Sequence, residues 1–533
     1  MTLERDFARL GAERFDLLVI GGGIVGCWTA YDAALRGLRV ALVERDDWRG
    51  LAPWTLPRLV GDVLPDLAAG RLLAARRGIA EQRRLARLGR HRVRALRLML
   101  PVQRGTGRLR LAAGLWLYDR LAADRLRRGR SGWRGRLALA GSHDLYGKRL
   151  RGGFLVGECH ADDARLALEL VDGAAAAGAA TANHASPKTL LMHGGNVAGA
   201  AVEDLETGST VEVRAAVTAD CSDPADGELL ATLPAARAIP RRWVREVSVV
   251  LGAPPLPDGV LLLPEARRGA IVGIPWHGRM VLGARGEAAG ARPDESVGQA
   301  EIATLLAWAN DSFDQRLWRE ADVIQAFAAV RAVPGDRPGD ARTARLHEPA
   351  PGLLVSSCDG LGAARGAAVG LVDRALNRLR GRFRPGSTAT RRLPWSPEGS
   401  ARLWSGSFVR AGLDHGLDEA TIESCLERHG TQFERVLERV RSARDLGRRV
   451  VPDLPFCMAE VVQAVADEMA RSLEDVLRRR VPLEVLGRLD EPTLREVADR
   501  AGAVLGWTGD RRRSEIQRIL ARTDRAVGGG ASR

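Results

Sequence analysis

The sequence predicts an α/β fold, in which a Rossmann-type parallel sheet is followed by an all-α C-terminal domain. Three observations lead to this prediction. An apolar strand followed by a glycine-rich turn lies near the N-terminus, and a second pattern of strand, turn and helix occupies residues 351–370. Beyond residue 398, apolar side chains recur with the helical period of about 3.6 residues. The length of 533 residues suits about three domains.

Composition places the chain among globular proteins and excludes several classes. Hydrophobic residues make up 45% of the sequence, and 80 Lys and Arg face 66 Asp and Glu, a formal net charge of +14. No uncharged apolar run reaches the roughly 18–20 residues of a membrane span, and the charged N-terminus does not resemble a secretory signal. The six cysteines are widely separated. We therefore predict no disulfide framework, no metal site and a cytoplasmic location.

The first informative element is a glycine-rich turn after an apolar strand. Residues 15–20 suit a strand that is buried on both faces, and Gly21, Gly23 and Gly26 follow with Gly-x-Gly-x-x-Gly spacing. In this pattern the first glycine makes the tight turn and the second lets the backbone approach a pyrophosphate. The third lets the helix pack closely against the strand. The three glycines are therefore predicted to bind a dinucleotide.

A helix and a second strand complete this unit. The helix is predicted over 24–35 and the strand over 38–43, and the strand ends on Glu44. An acid at this position accepts hydrogen bonds from the hydroxyls of a ribose. Glu44 and its neighbour Arg45 are therefore predicted to bind the cofactor. A glycine-rich unit without a ligand is the alternative that the pattern leaves open.

The position of the second glycine-rich pattern favours FAD over a nicotinamide cofactor. Residues 351–370 again combine an apolar strand, a turn and a helix, and they lie more than 300 residues beyond the first unit. A cofactor domain assembled from such separated segments suits an FAD enzyme. FAD is therefore the predicted cofactor, and Gly362 in the second pattern is a predicted contact.

Short motifs spread along the chain resemble those of the FAD-dependent glycerol-3-phosphate dehydrogenases, which belong to the amino-acid-oxidase-like flavoproteins. The resemblance runs from about residue 15 to about residue 520. Its landmarks are VIGGGIVG at 19–26, LYD at 117–119, DDARL at 162–166, IPW at 274–276, AAVRAV at 328–333, GLLV at 352–355 and the helical block at 459–483.

The resemblance implies an FAD-binding Rossmann-type parallel sheet with an interleaved antiparallel β-sheet substrate domain and an all-α C-terminal domain. The hairpin predicted at 197–217 is expected to belong to the lid of this fold. The implied boundaries are an oxidoreductase domain at 1–385 (cofactor segments near 15–70, 150–225 and 325–385, substrate or lid part near 226–320), a linker at 386–397, a helical domain at 398–522 and a tail at 523–533.

The resemblance also implies an activity and its partners. Such enzymes oxidise sn-glycerol 3-phosphate to dihydroxyacetone phosphate and pass the electrons to quinone. The implied partners are thus a small phosphorylated polyol and a quinone, with a homodimer as an open alternative. No nucleic-acid partner is predicted, because no recognition motif or aromatic stacking platform is found.

An arginine-rich stretch at 71–110 suggests where a membrane could attach. It aligns with a helical segment of the family, and each cation near an anionic membrane surface is worth about 1 kcal/mol. The functional interpretation is peripheral attachment at the inner face of the cytoplasmic membrane. The alternative is an ordinary solvated helix face.

The polar positions of the family's active site are only partly kept. Arg331 matches the arginine of the family's AGxRPL element and is the predicted catalytic residue, with the substrate phosphate as its partner. The family's other Arg, His and Lys positions are Pro65, Val247 and Gly360 in this sequence.

His277 and Arg279, which follow the IPW motif, could replace a lost catalytic group. Three interpretations of the function follow. The chain is a glycerol-3-phosphate dehydrogenase, an FAD oxidoreductase that acts on another substrate, or a catalytically impaired relative with a binding or regulatory role.

Overall fold

Two eight-stranded sheets and a helical domain build the part of the chain that the computed structural model describes. No helix in this part is long and apolar enough to cross a bilayer. The described residues are 2–48, 59–61, 63, 71–103, 108–122, 132–135, 150–222, 228–231, 233, 235, 239, 241–252, 259–262, 270–288, 292–294, 296–311, 313, 316–334, 345–358, 360–379, 381–399 and 401–527.

The strands are numbered in chain order. They are β1 Arg14–Ile20, β2 Val40–Val43, β3 Val93–Gln103, β4 Gly132–Gly135, β5 Leu150–Ala161, β6 Ala180–Ala182, β7 Ala185–His193, β8 Asn196–Asp204, β9 Thr210–Asp220, β10 Arg241–Leu251, β11 Gly259–Leu262, β12 Ile271–Trp276, β13 Arg279–Ala288, β14 Val323–Pro334, β15 Arg345–Ala350 and β16 Leu353–Ser357.

The α-helices are numbered in the same way. They are α1 Phe7–Ala12, α2 Ile24–Leu35, α3 Leu72–Leu88, α4 Arg108–Ala122, α5 Asp163–Ala176, α6 Glu228–Ala231, α7 Gln299–Asn310, α8 Leu361–Leu379, α9 Ala401–Asp414, α10 Glu419–His429, α11 Phe433–Ser442, α12 Met458–Asp467, α13 Leu483–Leu486, α14 Glu491–Leu505 and α15 Gly509–Val527. Because α15 continues to Val527, the predicted tail begins too early.

The first sheet is the predicted Rossmann-type sheet. Six of its eight strands follow the order β15-β16-β9-β1-β2-β6, while β8 pairs with β9 and β7 with β8 outside this row. Strand β1 pairs in parallel with both β2 and β9. Leu17, Leu18 and Val19 on β1 have no exposed surface, since helices cover one face of the sheet and β7, β8 and α1 lie towards the other. The carboxyl ends of the parallel strands therefore meet at one edge, where such folds bind ligands.

The predicted hairpin at 197–217 forms, but in a different place. Strands β8 and β9 pair antiparallel around a turn at 205–209, as expected. However, β9 lies between β1 and β16, in the middle of the first sheet. Its placement in the lid is therefore wrong, because the C-terminal end of β9, at 217–220, is buried on both faces within this sheet.

The second sheet is the interleaved, mainly antiparallel sheet. Its strand order is β14-β10-β13-β12-β11-β3-β5-β4. Strands β3, β5 and β14 lie outside the predicted substrate segment at 226–320, so this sheet draws on a much longer part of the chain. One of its faces packs on α7, with Ile302, Leu305 and Leu306 in the shared core.

The arginine-rich stretch at 71–110 is not one helical face. It comprises α3, then β3, then the start of α4. Arg92, between α3 and β3, is fully buried and donates to Glu169 and to the backbone carbonyls of Glu427 and Arg428. Part of the basic charge is therefore buried, where it binds the helical domain. The prediction of a continuous helical segment is wrong.

The helical domain follows a linker without helix or strand at 386–397. Its core includes Ile422, Phe433 and Val461, all without exposed surface. The block at 459–483 contains a break, since α12 ends at Asp467 and a π-helix follows over Asp475–Arg480. This break turns polar side chains towards the first sheet.

Candidate functional site

The glycine-rich loop lies at the carboxyl edge of the first sheet, between β1 and α2. Gly21 has φ +96°, a left-handed conformation that favours glycine. A Cβ atom on Gly26 would lie 1.9 Å from the carbonyl oxygen of Gly21. The first and third glycines therefore make the turn and the close packing that the sequence predicts for them.

Gly23 has the opposite environment. A Cβ atom added there would meet no heavy atom within 4 Å, although the neighbouring glycines are closely packed. Gly23 is also the N-cap of α2, and in the described part of the chain no side chain accepts a hydrogen bond from the first backbone N–H groups of the helix. Such a cradle fits a pyrophosphate group.

Glu44 closes the loop from the end of β2. Its Oε2 accepts a hydrogen bond from the Gly22 N–H at 2.6 Å, and its Oε1 accepts one from the Asp46 N–H at 2.8 Å. The carboxyl group keeps further acceptor positions, which fit the hydroxyls of a ribose. Burial raises the pKa of Glu44 to about 7, and the two backbone hydrogen bonds oppose this shift only partly.

The raised pKa of Glu44 leads to a testable pH dependence. Ribose hydroxyls donate to the charged carboxylate, so binding favours the deprotonated form. We expect FAD affinity, measured by fluorescence titration, to rise with pH towards 7 by up to about tenfold per unit and then level off. Glu44→Gln should bind more weakly and without this dependence. An equal slope in both proteins would contradict the role of Glu44.

Arg45 lies further from the loop. Its guanidinium is half-exposed and pairs with Asp46, with Nη2 3.4 Å from Oδ2. The structure thus places it at the outer side of the β2 end. Its predicted contact with the cofactor stays a prediction.

The second glycine-rich segment reaches the same edge. Strand β16 runs parallel to β9, and α8 begins at Leu361 after a turn in which Gly360 has φ +96°. A Cβ atom on Gly362 would lie 2.4 Å from the Val60 carbonyl oxygen. This close contact explains why position 362 carries a glycine. Its predicted contact with FAD stays a prediction.

Three of the aligned substrate positions belong to the described part of the chain. Arg331 lies on β14 opposite Val244, and Val247 lies on β10 opposite Ala328. Both positions are in the second sheet, whereas Gly360 lies at the edge of the first. Pro65 lies outside the described residues.

The replacement of a lost catalytic group by His277 or Arg279 stays a prediction. His277 lies at the β12–β13 turn, where its ring packs on Phe456 and its Nδ1 is 3.4 Å from Ser424 Oγ. Burial lowers the pKa of His277 well below its usual range. Arg279 donates to the Leu486 carbonyl at 3.0 Å and pairs with Asp453. Both residues contact the helical domain.

One group of side chains in the described residues has the composition of a metal site. Cys425, Cys457 and Glu460 bring two sulfur atoms and a carboxylate oxygen within 4.8 Å of one another. The carboxylate of Glu460 already accepts from His429 Nε2 at 2.8 Å and from the Cys457 N–H at 3.0 Å, and it pairs with Arg428. These partners give the group a role in packing and helix capping.

Sequence reasoning missed the polar residues behind the ribose position. Asp47 is fully buried and binds Arg480, which lies 433 residues further along the chain. In the sequence, the only indication of such a role for Asp47 is that it is an acid three residues after Glu44.

Two family models match the chain in sequence. One, described as FAD dependent oxidoreductase, matches residues 16–374. The other, described as the C-terminal domain of alpha-glycerophosphate oxidase, matches residues 388–512. Together they cover nearly all of both sheets and most of the helical domain.

Several relatives are similar over nearly their whole length. Glycerol-3-phosphate dehydrogenase 2 of Mycobacterium tuberculosis is 28% identical over 529 residues, with 97% of this chain and 90% of the relative covered. The glycerol-3-phosphate dehydrogenase of Synechocystis is also 28% identical, with 96% and 97% covered. The crystal structure of a glycerol-3-phosphate dehydrogenase from Bacillus halodurans, complexed with FAD, matches with a TM-score of 0.77 at 21% identity, over 99% of this chain and 98% of that one. The predicted fold class is thus confirmed.

Proposed function

The chain belongs to the FAD-dependent oxidoreductase family, and we propose that it oxidises sn-glycerol 3-phosphate to dihydroxyacetone phosphate. FAD is its cofactor. The observation that carries the substrate proposal is the continuous match to glycerol-3-phosphate dehydrogenases, which includes the helical domain.

The residues of this chain supply binding and orientation. The backbone of Gly21, Gly23 and Gly26 would hold the pyrophosphate at the N-terminus of α2, and Glu44, at the end of β2, would accept from the ribose hydroxyls. Bound FAD supplies the hydride acceptor. We propose Arg331 as the partner of the substrate phosphate, because its planar guanidinium can make two parallel hydrogen bonds to phosphate oxygens.

The substrate proposal is tested by anaerobic reduction of the bound flavin. We expect sn-glycerol 3-phosphate to bleach the flavin absorption bands, whereas glycerol and sn-glycerol 1-phosphate leave them unchanged. A flavin that stays oxidised with sn-glycerol 3-phosphate but is reduced by dithionite would contradict this substrate and favour another one.

Arg331→Ala is expected to lower kcat/KM for sn-glycerol 3-phosphate by about 10²-fold, since a charge-assisted contact to the substrate is lost. The flavin content should not change. Arg319→Ala is the matched control, because Arg319 is a surface arginine with a side chain 73% exposed. Equal kcat/KM values in the two variants would show that Arg331 does not contact the substrate.

We further propose that the electrons pass to a membrane quinone and that α3 and α4 face the bilayer. Exposed apolar side chains are concentrated on these two helices: Leu72 is 48% exposed, Leu73 74%, Leu109 84% and Trp116 63%. The exposed arginines Arg76, Arg77 and Arg120 lie on the same helices. Apolar side chains flanked by cations suit an anionic membrane surface.

Membrane attachment is tested with Leu73→Ser combined with Trp116→Ser. Burial of a large apolar side chain is worth roughly 1.5–3 kcal/mol, so we expect binding to anionic phospholipid vesicles to fall by at least about tenfold. Binding of the unmodified protein should also weaken with salt. Leu413→Ser, at a 46% exposed position on α9, is the control and should bind normally. Equal binding of all three proteins would show that α3 and α4 do not attach the protein to the membrane.

A further inference from the structure

A buried pair of charges connects the helical domain to the segment that follows Glu44. Asp47 and Arg480 form a bidentate contact, with Nη1 2.6 Å from Oδ2 and Nη2 3.0 Å from Oδ1. Their side chains are 0% and 2% exposed. A planar guanidinium facing a carboxylate in this way fixes the orientation of both groups.

Each partner of this pair is held by further hydrogen bonds. Arg480 also donates twice to the Glu468 carbonyl, from Nε at 3.2 Å and from Nη2 at 2.8 Å. The Asn183 amide donates to Asp47 Oδ1 and to the Met469 carbonyl, both at 2.9 Å. The position of Asp47 is therefore set by the chain break between α12 and the π-helix, which belongs to the helical domain.

Asp47 lies between two residues that shape the cofactor loop. Glu44, three residues before it, accepts from the Gly22 N–H. Trp48, directly after it, is fully buried, and a Cβ atom on Gly22 would lie 2.6 Å from its ring. A displacement of Asp47 would therefore move the ribose acceptor and the side chain that supports the glycine-rich loop.

A second contact supports the same segment. The His184 N–H donates to the Asp46 carbonyl at 2.7 Å, and His184 Nε2 is 2.9 Å from Asp475 Oδ2 on the π-helix. Asp475 also accepts from the backbone N–H groups of Arg471 and Ser472. The helical domain thus holds residues 44–48 both directly and through the β6–β7 turn.

We propose that Arg480 is a positioning residue for the adenosine end of FAD, through which the helical domain sets the affinity for the cofactor. The hydrogen bonds of Arg480 go to Asp47 and to the Glu468 carbonyl. Through Asp47, Arg480 keeps Glu44 and Trp48 in place. This inference rests on FAD binding at the glycine-rich loop and does not depend on the substrate.

The test is the affinity of the full-length protein for FAD and for ADP, which occupies only the adenosine end. Arg480→Lys keeps the buried charge but loses the two-pronged contact, so we expect both affinities to fall by about tenfold or more. A second variant, Asp47→Asn with Arg480→Gln, removes both charges together and leaves no lone buried charge. It should show the same parallel loss.

Arg92→Lys is the matched control. Arg92 is also fully buried and also contacts the helical domain, but it does so through Glu169 and the carbonyls of Glu427 and Arg428, away from residues 44–48. Its affinities should stay within about twofold of the unmodified protein. An unchanged FAD affinity in the Arg480 variants, a loss for FAD without a loss for ADP, or an equal loss in Arg92→Lys would each overturn the proposal.

Discussion

Gly26→Ala is expected to yield a protein without bound FAD. The added Cβ atom would lie 1.9 Å from the Gly21 carbonyl oxygen, and this neighbour is backbone that cannot rotate away. The turn and the helix must separate, which removes the close approach of the loop to the pyrophosphate. We expect the affinity for FAD to fall by at least about 10²-fold. The protein should therefore lose its flavin on gel filtration, which the flavin absorbance per protein afterwards measures.

Two further glycine variants separate a lost site from a lost fold. Gly23→Ala places its methyl group in open space, so the chain should fold normally and still bind FAD poorly, because that space is where the pyrophosphate is expected. Gly366→Ala, within α8, also meets no neighbour and should keep both fold and cofactor. Normal flavin content in Gly26→Ala would show that the loop does not bind the dinucleotide.

The N-terminal unit could be predicted closely because its signals are local. The helix over 24–35 agrees with α2 at both ends, and the apolar run at 15–20 is the buried part of β1. Buried parallel strands, a turn of fixed glycine spacing and a terminal acid follow one another within about thirty residues. The second segment at 351–370 is predictable for the same reason, since β16 and α8 repeat the pattern.

The errors arise where distant parts of the chain meet. The hairpin of β8 and β9 is local and therefore predictable, but the other neighbours of β9 in the sheet, β1 and β16, are distant in sequence. Only two of the 80 basic residues are lysines, so arginine content alone does not distinguish a surface cation from a buried one such as Arg92. The pairing of Asp47 with Arg480 has no local signal at all.

Arg165→Met is expected to destabilise the contact between the first sheet and the helical domain by about 3–5 kcal/mol. Arg165 is fully buried, and its Nη1 and Nη2 lie 2.6 Å and 2.9 Å from the two oxygens of Glu468. Its Nε donates to the Arg428 carbonyl at 2.9 Å. The variant removes the two-pronged cation of the buried Glu468 carboxylate and, among the described residues, leaves as its cation only Arg480, whose Nε lies 3.9 Å from Oε2. Urea unfolding at neutral pH should detect this as a lower free energy of unfolding.

The pH dependence of this loss distinguishes a lost charge pair from lost packing. Burial opposes ionisation of Glu468, but Arg165 and its neighbours hold the pKa of this carboxyl well below its usual range. A depressed carboxyl pKa contributes stability above its unfolded value, which is lost as the pH falls through the acid range below about 4. The difference between Arg165→Met and the unmodified protein should therefore be largest near pH 7 and shrink in acid.

Arg165→Met combined with Glu468→Leu should be less destabilised than Arg165→Met alone, because no lone charge stays buried. A loss of equal size at all pH values, unchanged in the double variant, would assign the contribution of Arg165 to packing.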